Sequence, residues 1–124
     1  MSVIIRAFVV AAAAFFIAGS ADASTLKIRE YTRLGVSATG GSSVQVAQEP
    51  GHDMSPVTFT GTPGTSAAFA NDTNLIGIIA DAQFCYKVGT GTPVADTTMI
   101  YVPAAQMLYI GVSGKDKISA IACP

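Results

Sequence analysis

Leu75-Ile76-Gly77-Ile78-Ile79-Ala80-Asp81-Ala82-Gln83-Phe84-Cys85-Tyr86-Lys87-Val88 is the stretch that decides the fold class. Its first six residues are an apolar, β-branched run, and from Gln83 onward the chain alternates, with Phe84, Tyr86 and Val88 on one face. Period-two alternation is the signature of a strand with one buried side, and a short apolar run bounded by turn residues fits a strand buried on both. Two such segments around Asp81-Ala82 predict a hairpin.

Working outward toward the C-terminus, Met99-Ile100-Tyr101-Val102 starts a strand that Pro103 halts. Gln106 to Val112 makes another, Ser113-Gly114-Lys115-Asp116 is a polar turn, and Lys117 to Ala122 is the last strand. Toward the N-terminus, Val57-Thr58-Phe59-Thr60 alternates ahead of the breaker Gly61-Thr62-Pro63-Gly64. Val44-Gln45-Val46 is a short strand, Glu49-Pro50-Gly51-His52-Asp53 is a turn, and Gly35 to Ser43 is a Gly/Ser/Thr loop. Lys27 to Leu34 alternates charge with Leu26, Ile28 and Leu34 and reads as an edge strand or extended arm. No helix is convincing, and no repeat of a few tens of residues is visible. The expectation is an all-β domain, a small antiparallel β-sandwich or barrel of about seven to eight mostly meandering strands.

Ahead of it, Arg6 precedes Ala7-Phe8-Val9-Val10-Ala11-Ala12-Ala13-Ala14-Phe15-Phe16-Ile17-Ala18, and Ala21-Asp22-Ala23 has the A-x-A form that a signal peptidase reads. Cleavage between Ala23 and Ser24 is predicted. A permanent span needs about 20 apolar residues, so no stable membrane span is expected after cleavage; an uncleaved apolar arm is the other reading. The organisation expected is 1–23 signal-peptide-like, 24–43 charged arm and Gly/Ser loop, and 44–124 β-sandwich.

The 124 residues carry 7 basic and 8 acidic side chains, a net charge of −1 that makes no field for nucleic acid or an anionic membrane. Charged residues are 12% of the chain against about 25% in ordinary domains, while half the chain is apolar, so it folds and is neither disordered nor helical by charge lacing.

Candidate chemistry is sparse. Cys85 lies mid-strand and Cys123 near the C-terminus; export would favour a disulfide between them, and two small buried thiols are the alternative. His52 sits between Glu49 and Asp53 but has no second His or Cys ligand nearby, so a metal site is not expected. With one His and no nucleophile-elbow motif, a triad is not expected either. Asp72, Asp81, Asp96 and Asp116 all lie near turns; a pair of them is the one carboxylate arrangement open to glycoside chemistry, and backbone capping, for which turns favour Asp anyway, is the reading preferred. Gly89-Thr90-Gly91 lacks the passage from strand through Gly-rich loop to helix, and the Lys, that a phosphate cradle requires, and Asn71-Asp72-Thr73 is a bare glycosylation sequon. Tyr31, Tyr86, Tyr101 and Tyr109 are candidates for half-exposed positions. The expectation is no enzyme and no cofactor.

Thr25 to Gly35, followed later by the apolar strand, Asp81-Ala82, the aromatic strand with Lys87-Val88-Gly89-Thr90, Tyr101-Val102-Pro103-Ala104 and Tyr109-Ile110-Gly111-Val112, resembles small structural proteins encoded near the head genes of tailed bacteriophages. The resemblance spans 25–35 and 69–124 and rests on strand and turn patterns. It implies a virion component, a capsid decoration or head-associated protein that packs against copies of itself and a major capsid protein. Lys27, Arg29, Glu30 and Arg33 are the assembly contacts expected on that reading. The leader points instead to an exported, periplasmic or secreted β-sandwich binding module with a Cys85–Cys123 bridge.

Overall fold

The computed structural model describes residues 22–36, 39–41 and 43–124, and the apolar segment Ala7 to Ala18 falls outside that range. The described chain is all-β. Its strands are β1 (Ser24–Tyr31), β2 (Leu34–Val36), β3 (Ser43–Ala47), β4 (His52–Asp53), β5 (Val57–Phe59), β6 (Gly64–Thr65), β7 (Leu75–Ala80), β8 (Phe84–Gly89), β9 (Ile100–Val102), β10 (Leu108–Gly111) and β11 (Lys117–Ala122). They exceed the seven or eight expected because β2, β4 and β6 are pieces of two or three residues.

One sheet runs β10-β7-β1, with β4 and β5 both on the far side of β1. These two pair with opposite ends of β1, and the Met54 amide donates to the Ile28 carbonyl between them, so 52–59 acts as one interrupted edge strand. The second sheet is β6-β11-β8-β9, and β2 with β3 forms a separate hairpin. All pairings are antiparallel.

The core lies between the two sheets. Leu26 and Ile28 of β1, Val57 and Phe59 of β5, and Ile76, Ile78 and Ala80 of β7 meet Phe84, Val102, Ile118 and Ala120 from the other sheet. The Phe59 and Phe84 rings span the gap with centroids 5.9 Å apart and planes tilted by 51°, a favourable arrangement for an aromatic pair. Phe69, on the loop between β6 and β7, closes one end.

Three expectations need correcting. Residues 75–88 are not a hairpin. β7 is flanked on both sides, by β1 and β10, and β8 by β11 and β9, so neither has an edge to offer the other. Asp81-Ala82-Gln83 instead carries the chain between sheets. The Asp81 carboxylate accepts the Thr25 amide at 2.8 Å on one side, and Gln83 Nε2 donates to the Cys123 carbonyl at 2.7 Å on the other. The sheets are not a meander, because the chain also changes sheet after β5, β6, β9 and β10. Nor is 24–31 an edge strand or an arm outside the sandwich. β1 is central, and its alternation puts Lys27 and Arg29 on the outer face and Leu26, Ile28 and Glu30 on the inner one.

The two outer faces are treated differently. Over the second sheet, the 93–99 loop folds down: Ala95 and Met99 pack on Cys85, Ile121 and Cys123, and the Ala95 amide donates to Ser119 Oγ at 3.0 Å. The outer face of the first sheet is bordered by the β2–β3 hairpin and the 49–51 turn at one end and by Pro56 and Met107 at the other, and a groove opens on it beside the hairpin.

Candidate binding face on the first sheet

Antiparallel register places Asp53, Arg29, Gly77 and Tyr109 in one row across four strands on that outer face. Tyr31, Leu75 and Gly111 form the next row. A cross-strand row of this kind brings side chains within contact distance, and its composition dictates the relief. Gly77 has no side chain, so Tyr109 lies down over it; a Cβ there would meet Tyr109 Cε1 at 3.0 Å and Tyr31 Cε2 at 3.5 Å. The Tyr31 and Tyr109 rings are 6.2 Å apart and tilted by 51°. Tyr31 is buried at 4% exposure, whereas Tyr109 is 52% exposed.

Charge frames this aromatic pair. Arg29 Nη2 is 3.3 Å from Glu49 Oε2, and its Nε is 3.3 Å from Asp53 Oδ1, the latter an ion-pair contact without hydrogen-bond alignment. The Tyr31 hydroxyl donates to Glu49 Oε1 at 3.2 Å, and the Gly51 amide donates to Glu49 Oε2 at 2.7 Å. Gly51 must lack a side chain, since a Cβ would come within 2.7 Å of Tyr31 Cε1 and 2.9 Å of Arg29 Nε. The Gly51 amide, then the Tyr31 hydroxyl and the Arg29 charge, hold the Glu49 carboxyl below its usual range. Burial, then the hydrogen bond to Glu49, pushes the Tyr31 phenol above its usual range.

These two shifts set a pH window. A depressed carboxyl stabilises the fold above its unfolded value, near 4.3, and loses that contribution as pH falls through the lower folded value. A raised phenol stabilises below its unfolded value, near 10, and loses that contribution as pH climbs through the folded one. Glu49→Gln is expected to flatten the acid limb of a stability-against-pH curve measured by urea unfolding and to shrink the alkaline limb only in part, since the burial that is the larger cause of the Tyr31 shift remains. An acid limb identical to that of the parent chain would show that the Gly51 and Tyr31 hydrogen bonds to Glu49 do not form in solution.

The residues singled out from sequence are dispersed. Cys85 and Cys123 are joined in a disulfide, with Cα atoms 5.6 Å apart, on the covered face of the second sheet. Glu30 does not face a partner; it is 5% exposed and bonded within the fold. Arg29 is held by Glu49 and Asp53, while Lys27 and Arg33 are exposed. Ser24 is the first residue of β1, opposite Phe59. His52 is not a bare turn residue: it pairs with Glu30 across strands, its Nδ1 3.1 Å from Glu30 Oε2. Among the described residues no three His, Cys, Asp or Glu side chains gather as a metal site would require, and no helix is long and apolar enough to cross a membrane.

No protein-family model, curated protein or solved structure matches this chain. Its function is therefore argued from its surfaces. What the sequence missed was the row Asp53-Arg29-Gly77-Tyr109. The glycine inside an apolar strand, Gly77, was the available signal, since such a glycine marks a place where something approaches the backbone closely.

Proposed function

We propose that this chain is a non-enzymatic structural component of a bacteriophage virion, a capsid decoration or head-associated protein that works by packing against copies of itself and a major capsid protein. The observation that carries this reading is the uncharged stretch 97–114, which holds β9 and β10, one edge strand of each sheet. Ile100 is 65% and Tyr101 50% exposed there, with Met107 also exposed. Sheet edges of proteins that stay single are normally guarded by charges, bulges or covering loops. Apolar patches left open mark contact surfaces. The contact moves from the charged β1 segment expected from sequence to these edges.

Ile100→Lys with Tyr101→Lys is expected to abolish self-association of the full chain in sedimentation velocity and its uptake onto capsids, while the thermal midpoint stays within about 3 °C, since surface substitutions are usually near neutral. A parent chain that sediments as a monomer and does not bind capsids, or a double variant that associates as the parent does, would overturn the reading. It also expects a major capsid gene beside this one.

A second reading, an exported periplasmic or extracellular binding module, is supported by the Cys85–Cys123 disulfide, because such bonds persist in oxidising compartments. N-terminal sequencing of the native protein separates the two: Ser24 favours export, Met1 the virion.

A further inference from the structure

The groove beside Tyr109 has the form of a ligand site that an assembling edge does not need. It encloses about 630 Å³ and is lined by Tyr31, Leu34, Val46, Glu49, Asn74 and Tyr109, with the β2–β3 hairpin as one wall. That is within the usual size of small-molecule sites, roughly 300–1,000 Å³. We infer that it binds a neutral oligosaccharide, with one sugar ring stacked on the open face of Tyr109.

Three features select that chemistry. First, Gly77 lacks the side chain that would crowd the Tyr109 ring, and that ring stands half exposed at the groove. The C–H groups on one side of a sugar ring suit the face of such a ring, because the quadrupole makes it electron-rich. Secondly, polar groups stand at the groove's margin: the ionised Glu49 carboxylate, the Tyr109 hydroxyl, which has no protein partner among the described residues, and Asn74, whose Nδ2 is held by the Thr32 and Asp72 carbonyls. These are acceptors and donors for hydroxyl groups. Thirdly, the local charge cancels. Glu49 is the one charged residue lining the groove and is already paired with Arg29, so the groove itself offers no cation for a phosphate and no acidic cluster for a metal ion. A polar, uncharged ligand with one apolar side is what this surface complements. The inference stands apart from the virion reading: sugar binding is measured on the free chain, so either can fail while the other holds.

The full chain should be applied to an array of neutral and of sialylated or sulfated glycans, and neutral binders then titrated by calorimetry. Neutral glycans are expected to be retained, with Kd about 1 mM or tighter. Tyr109→Phe should stay within about threefold of the parent, whereas Tyr109→Leu, which still covers Gly77, should lose about tenfold. Amide chemical shifts of Gly77 and Gly111 should move on titration, which reports on the groove even if a variant folds poorly. Retention of no glycan, retention of acidic glycans alone, or a Tyr109→Leu chain that binds as the parent does would overturn the inference. So would a Tyr109→Leu change in self-association without one in glycan binding, since a second copy would then occupy the face.

Discussion

Glu30→Ala is expected to lower stability by about 2–5 kcal/mol, a large part of the roughly 5–15 kcal/mol that holds a domain of this size together. Glu30 shares its strand face with Leu26 and Ile28, so its carboxylate enters the end of the core. Oε1 accepts the Ala70 amide at 2.7 Å and the Thr73 hydroxyl at 2.9 Å, and Oε2 lies 3.1 Å from His52 Nδ1. Ala70 and Thr73 belong to the loop that carries Phe69 into the core, so Glu30 pins that plug. Truncation would leave the buried Thr73 hydroxyl without an acceptor, at about 1–3 kcal/mol, and would strip the half-buried Ala70 amide of its charged acceptor as well. Glu30→Gln keeps an acceptor oxygen for Ala70 and Thr73 and should cost distinctly less. Thermal unfolding followed by circular dichroism checks both: a midpoint drop of roughly 10 °C or more for alanine, and a smaller one for glutamine. Equal midpoints for the alanine variant and the parent would mean that the loop is held without this carboxylate.

Glu30 also shows why the sequence disclosed the fold class and not the site. Alternation along 26–31 announces a strand, but period two says nothing about which strands flank it, and a charged residue on the inner face looks the same as one on the outer face until its partners are known. Ala70 and Thr73 are 40 and 43 residues away from Glu30 in the chain. The apolar run Leu75 to Ala80 was correctly a strand for the same local reason. Its partners were misread because Asp81-Ala82 has turn chemistry that serves equally to reverse a strand within one sheet or to pass it to the opposite one; the choice is made by which edges are already occupied. Two short strands, β4 and β6, exist only because β1 and β11 run beside them, and no propensity in His52-Asp53 or Gly64-Thr65 announces them. The candidate face on the first sheet combines both difficulties. It depends on register across four strands, in which Gly77 is informative only once Tyr109 is known to lie opposite it.

Removing the Cys85–Cys123 bond by the paired change Cys85→Ala and Cys123→Ala is expected to cost about 4 kcal/mol, from the chain entropy released when a loop with a sequence separation of 38 is no longer closed. That corresponds to a midpoint lowered by roughly 15 °C. The bond lies in a small apolar cluster with Ala95, Ile121 and Met99, apart from the main core between the sheets. Loosening should therefore begin where β11 ends and the 93–99 loop covers the second sheet, and hydrogen exchange should rise first at Ala95 and Ala122 while β1 and β7 stay protected. The face bearing Tyr31 and Tyr109 belongs to the other sheet, so glycan binding should survive reduction at temperatures where the chain remains folded. Alkylation under denaturing, non-reducing conditions gives the prior check: a bridged protein yields no labelled thiol, and two labelled thiols would show that the native chain does without the bond. In that case the paired alanine change should lose only the packing of two small side chains, and the compartment argument for export would lose its one structural support.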